Sequence, residues 1–198
     1  MRVVEPHWGL HRLLGVVGWD SPGFPVKAGP DPVVAGADAE MKRRLFHRGF
    51  TSIALINPQK PVNFGGCLRS LGCFGGDLIY LVGARYQKQA SDTLHTTRHI
   101  PTIHVPDADK LLEVLPQHAI PIAVEFDATA TPLHQFSHPE SAVYLFGPEN
   151  GSLSPALRAK CHASLFIPTL YCLNLCMAVT LVLYDRFMRT IPSPKDVS

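Results

Sequence analysis

Short apolar runs alternate with helical segments along most of this chain of 198 residues. Strands that alternate with helices are typical of a mostly parallel sheet covered by helices on both faces. The pattern therefore predicts an α/β fold. The predicted strands are Ser52–Ile56, Leu78–Val82, Ile120–Phe126, Ala142–Phe146 and Ser164–Ile167. The predicted helices are Ala37–Arg48, Asn63–Leu71, Ala108–Leu115, Pro155–Lys160 and Asn174–Met188.

Composition divides the chain into three parts. Residues 1–48 are predicted to be an irregular arm, interrupted by Pro and Gly as far as residue 37, that ends in a short basic helix. Residues 49–190 are predicted to form one domain, and residues 191–198 a tail. The basic helix either presents a solvated face or contacts the phosphates of a nucleic acid. Its candidate RNA-binding residues are Lys42, Arg43, Arg44 and Arg48.

The bulk composition excludes several classes of protein. A hydrophobic content of 46% argues against a mostly disordered chain, and a net charge of +2 is too small to indicate a nucleic-acid binder by itself. No run of apolar residues is long enough for a membrane span, and the start of the chain lacks the apolar core of a signal peptide. Five cysteines, an odd number, favour free thiols in a reducing cytoplasm.

No metal site is expected. Cys172 and Cys176 are four residues apart at a predicted helix start, where packing is the simpler role. His134 and His138 have the same spacing, but Pro139 follows directly and makes a helical pair of ligands improbable.

Three segments rich in Gly, Asn and Pro follow predicted strands. In an open α/β sheet, ligands bind beyond the carboxyl ends of the strands. The first segment, Asn57–Arg69, has Asn63 as a predicted helix cap, and Gly65 and Gly66 let the backbone approach a ligand or another helix. In the second, Leu145–Leu153, Glu149 is the only carboxylate of a Gly-rich turn. In the third, Ile167–Ala178, Pro168 ends the preceding strand.

Asn174, in this third segment, is expected inside the first turn of the last helix. The unpaired N–H groups at a helix start can bind a carboxylate or a phosphate. On the same helix, the spacing of Leu175, Val179, Val182 and Leu183 predicts a buried face, either within the subunit or between two subunits.

The three segments together resemble the motifs of the SpoU/TrmH class of SPOUT RNA methyltransferases, over about residues 50–190. The resemblance implies a trefoil knot near the C-terminus, a homodimer, an RNA substrate and S-adenosylmethionine as methyl donor for ribose 2′-O-methylation. It also implies site residues. The expected catalytic residues are Asn63, Arg69, Glu149 and Asn174, and the expected cofactor-binding residues are Leu145, Gly147, Ile167, Cys172 and Leu173.

Two features depart from the family pattern. Cys172 stands where the family usually has Ser, and the loop from Pro168 to Cys172 is short and lacks a Gly. Because of Cys172, a cofactor-binding RNA module without catalysis stays open as an alternative. Two further alternatives are a knotted methyltransferase that modifies a base and an enzyme for ribosomal RNA instead of the favoured transfer RNA. Tyr171 could stack on a base or pack within its loop, and His95, His99 and His104 could touch RNA or be ordinary loop histidines.

Overall fold

The computed structural model describes residues 49–83, 100–127 and 129–190. Its strands are β1 (Thr51–Ile56), β2 (Leu78–Val82), β3 (Thr102–Val105), β4 (Ile120–Val124), β5 (Thr131–Pro132), β6 (Ala142–Phe146) and β7 (Ala163–Phe166). Its helices are α1 (Pro61–Cys73), α2 (Ala108–Val114), α3 (Pro155–Ala159) and α4 (Leu175–Thr190), with a 3-10 turn at Leu133–Gln135. The predicted arm, basic helix and tail lie outside the described residues.

The seven strands form one sheet in the order β3-β2-β1-β6-β4-β7-β5, and every neighbouring pair is parallel. The prediction of a mostly parallel sheet is confirmed. All five predicted strands are present with ends shifted by at most two residues. The sequence did not predict β3 and β5, because β3 is short and largely exposed and β5 has only two residues.

Helices cover both faces of the sheet, as predicted. In β1 the side chains of Ile53 and Leu55 point into the core beneath α1 and α4, while Ala54 and Ile56 point into the core beneath α2 and α3. Because both faces are covered, all six residues of β1 are buried. Buried strands of this kind read as continuous apolar runs, which is why their positions could be predicted.

The last helix packs within the subunit. Its predicted buried face is confirmed, and the four side chains lie in the same core as Phe64, Leu68 and Leu71 of α1. Gly66 permits the close approach, since a Cβ there would lie 2.4 Å from Cys176 Sγ. A 2.7 Å hydrogen bond between the hydroxyls of Ser70 and Thr180 also links the two helices. The helix-packing alternative for Gly66 is therefore the one observed.

Candidate functional site

The three motif segments meet at the carboxyl edge of the sheet. They follow β1, β6 and β7; β1 and β6 are direct neighbours, and β4 lies between β6 and β7. All these strands are parallel, so their carboxyl ends point the same way. The position expected for a ligand site is thus occupied by Asn57–Arg69, Leu145–Leu153 and Ile167–Ala178.

Glu149 lies at the amino end of α1. Its carboxylate accepts hydrogen bonds from the backbone N–H of Gln59 at 2.6 Å and of Lys60 at 3.1 Å, and from Asn63 Nδ2 at 2.6 Å. Burial alone would raise the pKa of Glu149, but these hydrogen bonds stabilise the charged form and lower the pKa below its usual value. Glu149 is therefore an ionised carboxylate that joins the Gly-rich turn to α1.

Asn63 lies between Glu149 and Asn174. While its Nδ2 donates to Glu149, its Oδ1 accepts a hydrogen bond from Asn174 Nδ2 at 3.0 Å. The prediction that Asn63 caps α1 is wrong: α1 begins two residues earlier, at Pro61, and Lys60 occupies the cap position. Proline is well suited to the first position of a helix, and the amide of Asn63 is left to reach the neighbouring loops.

Asn174 caps α4 and does not lie inside its first turn, so that expectation was also wrong. Its Oδ1 accepts from the N–H of Cys176 at 2.9 Å, and its backbone carbonyl accepts from Ala178. Three of the four predicted catalytic residues, Glu149, Asn63 and Asn174, thus form one hydrogen-bonded chain, which we call the polar trio.

Beside the polar trio is a cleft between the loops that follow β4, β6 and β7. It is lined by aromatic side chains, backbone and two carboxylates. Gly147, Ile167, Cys172 and Leu173 line it, as does Glu149. Leu145 does not, because its side chain is fully buried inside β6. Four of the five predicted cofactor-binding residues are therefore brought together.

Arg69 is not brought to this cleft. It is an exposed residue of α1, and six residues separate it from Asn63. Six residues along an α-helix correspond to a translation of about 9 Å and a position about 120° around the axis. The candidate RNA-binding residues Lys42, Arg43, Arg44 and Arg48, as well as His95 and His99, lie outside the described residues. Tyr171 is exposed next to the cleft, and His104 is exposed on the edge strand β3.

Sequence reasoning missed four cleft residues that lie outside the three motif segments: Val124, Glu125, Phe126 and Phe166. Glu125 and Phe126 directly follow β4, which ends at Val124, whereas the predicted strand included both. The rule that places ligands beyond strand ends would have found them had the strand been ended correctly. Phe126 is 78% exposed, and its ring lies edge-on to Phe166 with centroids 5.2 Å apart.

The described residues contain neither a cluster of metal ligands nor a membrane-spanning helix. Within them, no three His, Cys, Asp or Glu side chains are arranged to hold a metal ion, and no helix is long and apolar enough to cross a membrane. The side chain of His138 is 4% exposed, and its two ring nitrogens are hydrogen-bonded to Tyr144 and Asp185.

The fold and the position of the cleft define a class: α/β proteins that bind a ligand at the carboxyl edge of a parallel sheet. The profile of the SpoU rRNA Methylase family matches residues 51–184. The chain belongs to this family, as the three motifs predicted. No protein of curated function has significant sequence similarity to the chain.

Solved structures share the fold. The SpoU methyltransferase AviRb from Streptomyces viridochromogenes, in complex with AdoMet, is 18% identical with a TM-score of 0.64 over 72% of this chain and 58% of its own. The A. aeolicus TrmH/SpoU tRNA modifying enzyme is 17% identical, with a TM-score of 0.64 over 79% and 84%. A structure solved for insight into the 2-OH methylation of C/U34 on tRNA is 23% identical, with a TM-score of 0.60 over 71% and 96%.

At these low identities, the TM-scores show a common fold and nothing more. The chain spans 58% and 63% of the two AviRb structures, which is less than two thirds of their length.

Proposed function

We propose that the protein is an RNA ribose 2′-O-methyltransferase that uses S-adenosylmethionine and acts on transfer RNA in the cytoplasm. The observation that carries the proposal is the polar trio, which joins all three family motifs beside one cleft. Transfer RNA is proposed because of the similarity to a tRNA modifying enzyme and to a protein studied for 2-OH methylation on tRNA. The family itself is described by rRNA methylation, so the experiment below compares both kinds of RNA.

The chemistry of the cleft suits the cofactor. S-adenosylmethionine combines an aromatic base with a sulfonium, whose methyl group is strongly electrophilic. Among the described residues, the lining has Phe126, Phe146 and Phe166 for apolar and aromatic contact, and its charged side chains are the carboxylates Glu125 and Glu149. A negative, partly apolar cleft favours a cationic ligand that carries a flat ring. Gly147, Ile167, Cys172 and Leu173 would contact it.

The polar trio would hold the ribose acceptor. An ionised Glu149 accepts hydrogen bonds, while the amides of Asn63 and Asn174 both donate and accept, so the set can orient a sugar hydroxyl. In methyl transfer, the 2′-oxygen would form the new C–O bond as the S–CH3 bond breaks and S-adenosylhomocysteine leaves, and the hydroxyl proton would pass to a phosphate oxygen of the RNA. Holding that oxygen in line with the methyl group supplies much of the rate.

Arg69 would stabilise the developing alkoxide, because a guanidinium stays charged and is a poor base. Since Arg69 does not line the cleft of its own subunit, the proposal assigns this role to the Arg69 of a second copy in a homodimer. An exposed apolar stripe on α4 supports such a dimer. Its members recur at helical spacing and are Met177, Leu181, Tyr184 and Met188. Contiguous exposed apolar surface of this kind is typical of interfaces.

The knot also belongs to the proposal. β7 and β1 are separated in the sheet by β4 and β6, yet α4, which follows β7, packs against α1, which follows β1. Residues 167–174 must therefore cross the ends of the intervening strands, beside the loop that follows β6. A trefoil knot requires such a crossing, because residues 167–174 would have to pass through the loop that follows β6. An experimental electron-density trace of residues 145–175 that leaves the chain unthreaded would refute it.

The function is tested by incubating the protein with S-adenosylmethionine labelled in the methyl group and, separately, with total transfer RNA and ribosomal RNA. Nuclease digestion and mass spectrometry should find label in 2′-O-methyl nucleosides from transfer RNA. Glu149→Ala should abolish labelling, whereas Glu113→Ala, which removes an exposed carboxylate on α2, should not. Label on a base would overturn the ribose assignment.

One observation favours a second candidate, a cofactor-binding RNA module without catalysis. The cleft is lined by Cys172 where the family usually has Ser, and a thiol is a weaker hydrogen-bond donor than a hydroxyl. Calorimetric binding of S-adenosylmethionine without methyl transfer to any cellular RNA would select this candidate. Gain of activity in Cys172→Ser would identify the missing hydroxyl as the cause.

A further inference from the structure

Glu125 joins three elements at the wall of the cleft. Its Oε2 accepts a hydrogen bond from the backbone N–H of Leu153 at 3.0 Å, and its Oε1 accepts from the N–H of Phe126 at 3.3 Å. Its own N–H donates to the carbonyl of Leu165 in β7 at 2.9 Å. Glu125 thus links the end of β4, the neighbouring strand β7 and the loop of residues 147–153, which we call the cleft loop.

The cleft loop is attached at two points. Near its middle, Glu149 bonds to the start of α1, and at its end the N–H of Leu153 bonds to Glu125. Leu153 is 2% exposed, so this N–H lies against the core, where a hydrogen bond contributes more than it does at the surface. Among the described residues, this is the only side-chain hydrogen bond that the structure records at that end of the loop. It would be lost without Glu125.

The Leu153 N–H also lies against Gly147. A Cβ built on Gly147 would be 3.1 Å from Leu153 N and 3.2 Å from the carbonyl carbon of Ser152. The start and the end of the cleft loop therefore pack directly on each other, with Gly147 and Gly151 both lining the cleft. Because Gly147 has no side chain, the backbone of Leu153 can lie this close to it, and a displacement of Leu153 would change the wall of the cleft at Gly147.

We propose that Glu125 is a positioning residue for the cofactor, because its carboxylate holds the cleft loop in its binding conformation through Leu153. The inference rests on the proposed function for the identity of the ligand. A loop that is fixed in advance loses less entropy when the ligand binds, and affinity rises accordingly. Glu125 acts on affinity mainly through the loop, and the negative charge that it adds to the cleft contributes little. That distinction separates it from a carboxylate that attracts the sulfonium directly.

Two substitutions separate the two roles. Glu125→Gln keeps a carbonyl oxygen that can accept from Leu153 but removes the charge, so affinity for S-adenosylmethionine should stay within about threefold of wild type. Glu125→Ala removes the acceptor, and affinity should fall by roughly tenfold or more. Glu125→Asp keeps the charge but is one methylene too short to bond to Leu153 without moving the strand end, and it should resemble Glu125→Ala.

The experiment measures binding of S-adenosylmethionine and of S-adenosylhomocysteine by calorimetry. The second ligand lacks the sulfonium charge. A positioning role predicts the same loss of affinity for both ligands in Glu125→Ala and little loss in Glu125→Gln. A loss confined to S-adenosylmethionine, or an equal loss in Glu125→Gln and Glu125→Ala, would mean that the charge binds the ligand and would overturn the proposal. Glu113→Ala on α2 is the matched control.

Hydrogen exchange of the ligand-free protein tests independently whether Glu125 holds the cleft loop. Leu153 N–H should exchange faster in Glu125→Ala than in wild type, with protection retained in Glu125→Gln. Unchanged exchange and unchanged affinity in Glu125→Ala would each refute the inference. If Glu125→Ala does not fold, the contrast between Glu125→Asp and Glu125→Gln provides the same test. Failure of the wild type to bind either ligand would refute the proposed function instead, while the exchange of Leu153 would still decide whether Glu125 holds the loop.

Discussion

The side chains of Asn63 and Asn174 are hydrogen-bonded at 3.0 Å although 111 residues separate them in the sequence. Because Asn174 caps α4 and Asn63 bonds to Glu149, this contact connects the starts of α1 and α4 with the turn after β6. The contact therefore forms only when the three motif segments are assembled. A substitution of Asn63 should affect both the stability of the fold and methyl transfer.

Replacing Asn63 by Ala should reduce methyl transfer by roughly a hundredfold, because two loops lose their common partner beside the acceptor. The free energy of unfolding should fall by about 1–3 kcal/mol, since Asn63 is buried and its partners lose their hydrogen bonds. Single-turnover kinetics and urea unfolding would measure the two effects. Asn63→Asp should be worse still, since it places a second carboxylate beside Glu149. Cys73→Ala, at an exposed position of α1, is the control, and an Asn63→Ala variant as active as this control would contradict the prediction.

The sequence predicted those parts of the molecule that follow from a repeated local pattern. Buried parallel strands such as β1 and β6 appear as continuous apolar runs. The start of α3 also has a local signal, because a Ser followed by a Pro is typical of a helix start, and the side chain of Ser154 accepts from Leu157 N–H. The site was predicted from the rule that ligands bind beyond the carboxyl ends of parallel strands, whereas the order of the strands in the sheet was not predicted.

Contacts between distant segments could not be predicted in the same way. Asn63 has the residue type of a helix cap, but Pro61 starts the helix earlier, and the choice depends on Glu149, which comes from another loop. The bond from Leu153 to Glu125 likewise joins residues whose proximity is decided by the sheet order. The sequence around Asn63 does not indicate Glu149 as its partner, and the sequence around Leu153 does not indicate Glu125.

Arg69 provides a test of the homodimer that does not depend on a dimer structure. If Arg69 acts in the second subunit, a heterodimer of Arg69→Ala and Glu149→Ala contains one complete site. An equal, freely exchanged mixture of these two variants, each inactive alone, should therefore recover about a quarter of the wild-type activity. Co-expression with two affinity tags would supply the heterodimer. No recovery in purified heterodimers would place the action of Arg69 within its own subunit.

The apolar stripe on α4 should form the dimer interface. Leu181→Asp introduces a charge in the middle of this stripe, and burying that charge without a partner costs several kcal/mol, so the variant should be monomeric. Val114→Asp, at an equally exposed apolar position of α2, should leave the dimer intact. Light scattering at several concentrations would distinguish the two. A dimeric Leu181→Asp variant would show that another surface is used.

Cys176 should be an unusually reactive thiol. Its hydrogen bond with the thiol of Cys67 lowers the pKa of Cys176 to about 6, with further contributions from Thr180 and Ser70, although burial opposes the shift. Burial raises the pKa of Cys161, which is also half-buried, to about 11. At pH 7 a much larger fraction of Cys176 than of Cys161 would therefore be ionised.

Iodoacetamide should therefore modify Cys176 much faster than Cys161. As the pH is lowered, the rate for Cys176 should fall to half of its high-pH value near pH 6. Peptide mapping by mass spectrometry after short exposures would give both rates. Replacing Cys67 by Ser should change the pH at which the rate of Cys176 halves. Equal rates for Cys176 and Cys161 at pH 7 would contradict the prediction.

His138 should make the fold less stable in mild acid. Burial lowers the pKa of His138; Arg186 and Arg189 act in the same direction, while the 2.9 Å contact with Asp185 opposes it. The other ring nitrogen is 2.6 Å from the hydroxyl of Tyr144, whose own pKa is raised by burial to about 12, so this neighbour stays neutral.

The sign of the effect follows from proton uptake. In the unfolded chain this histidine becomes protonated near pH 6.5, whereas in the folded protein it becomes protonated only at a lower pH. Between these two pH values the unfolded state therefore binds more protons than the folded state. The free energy of unfolding should therefore fall as the pH drops below about 6.5, by at most about 1.4 kcal/mol per pH unit from this residue. Urea unfolding between pH 7.5 and 5.5 measures the slope. His138→Gln should be less stable at pH 7.5 but show a flatter slope, whereas His118→Gln, at an exposed position, should keep the wild-type slope. If His138→Gln loses stability on acidification as steeply as the wild type, the burial of a neutral His138 is not the source of the acid sensitivity.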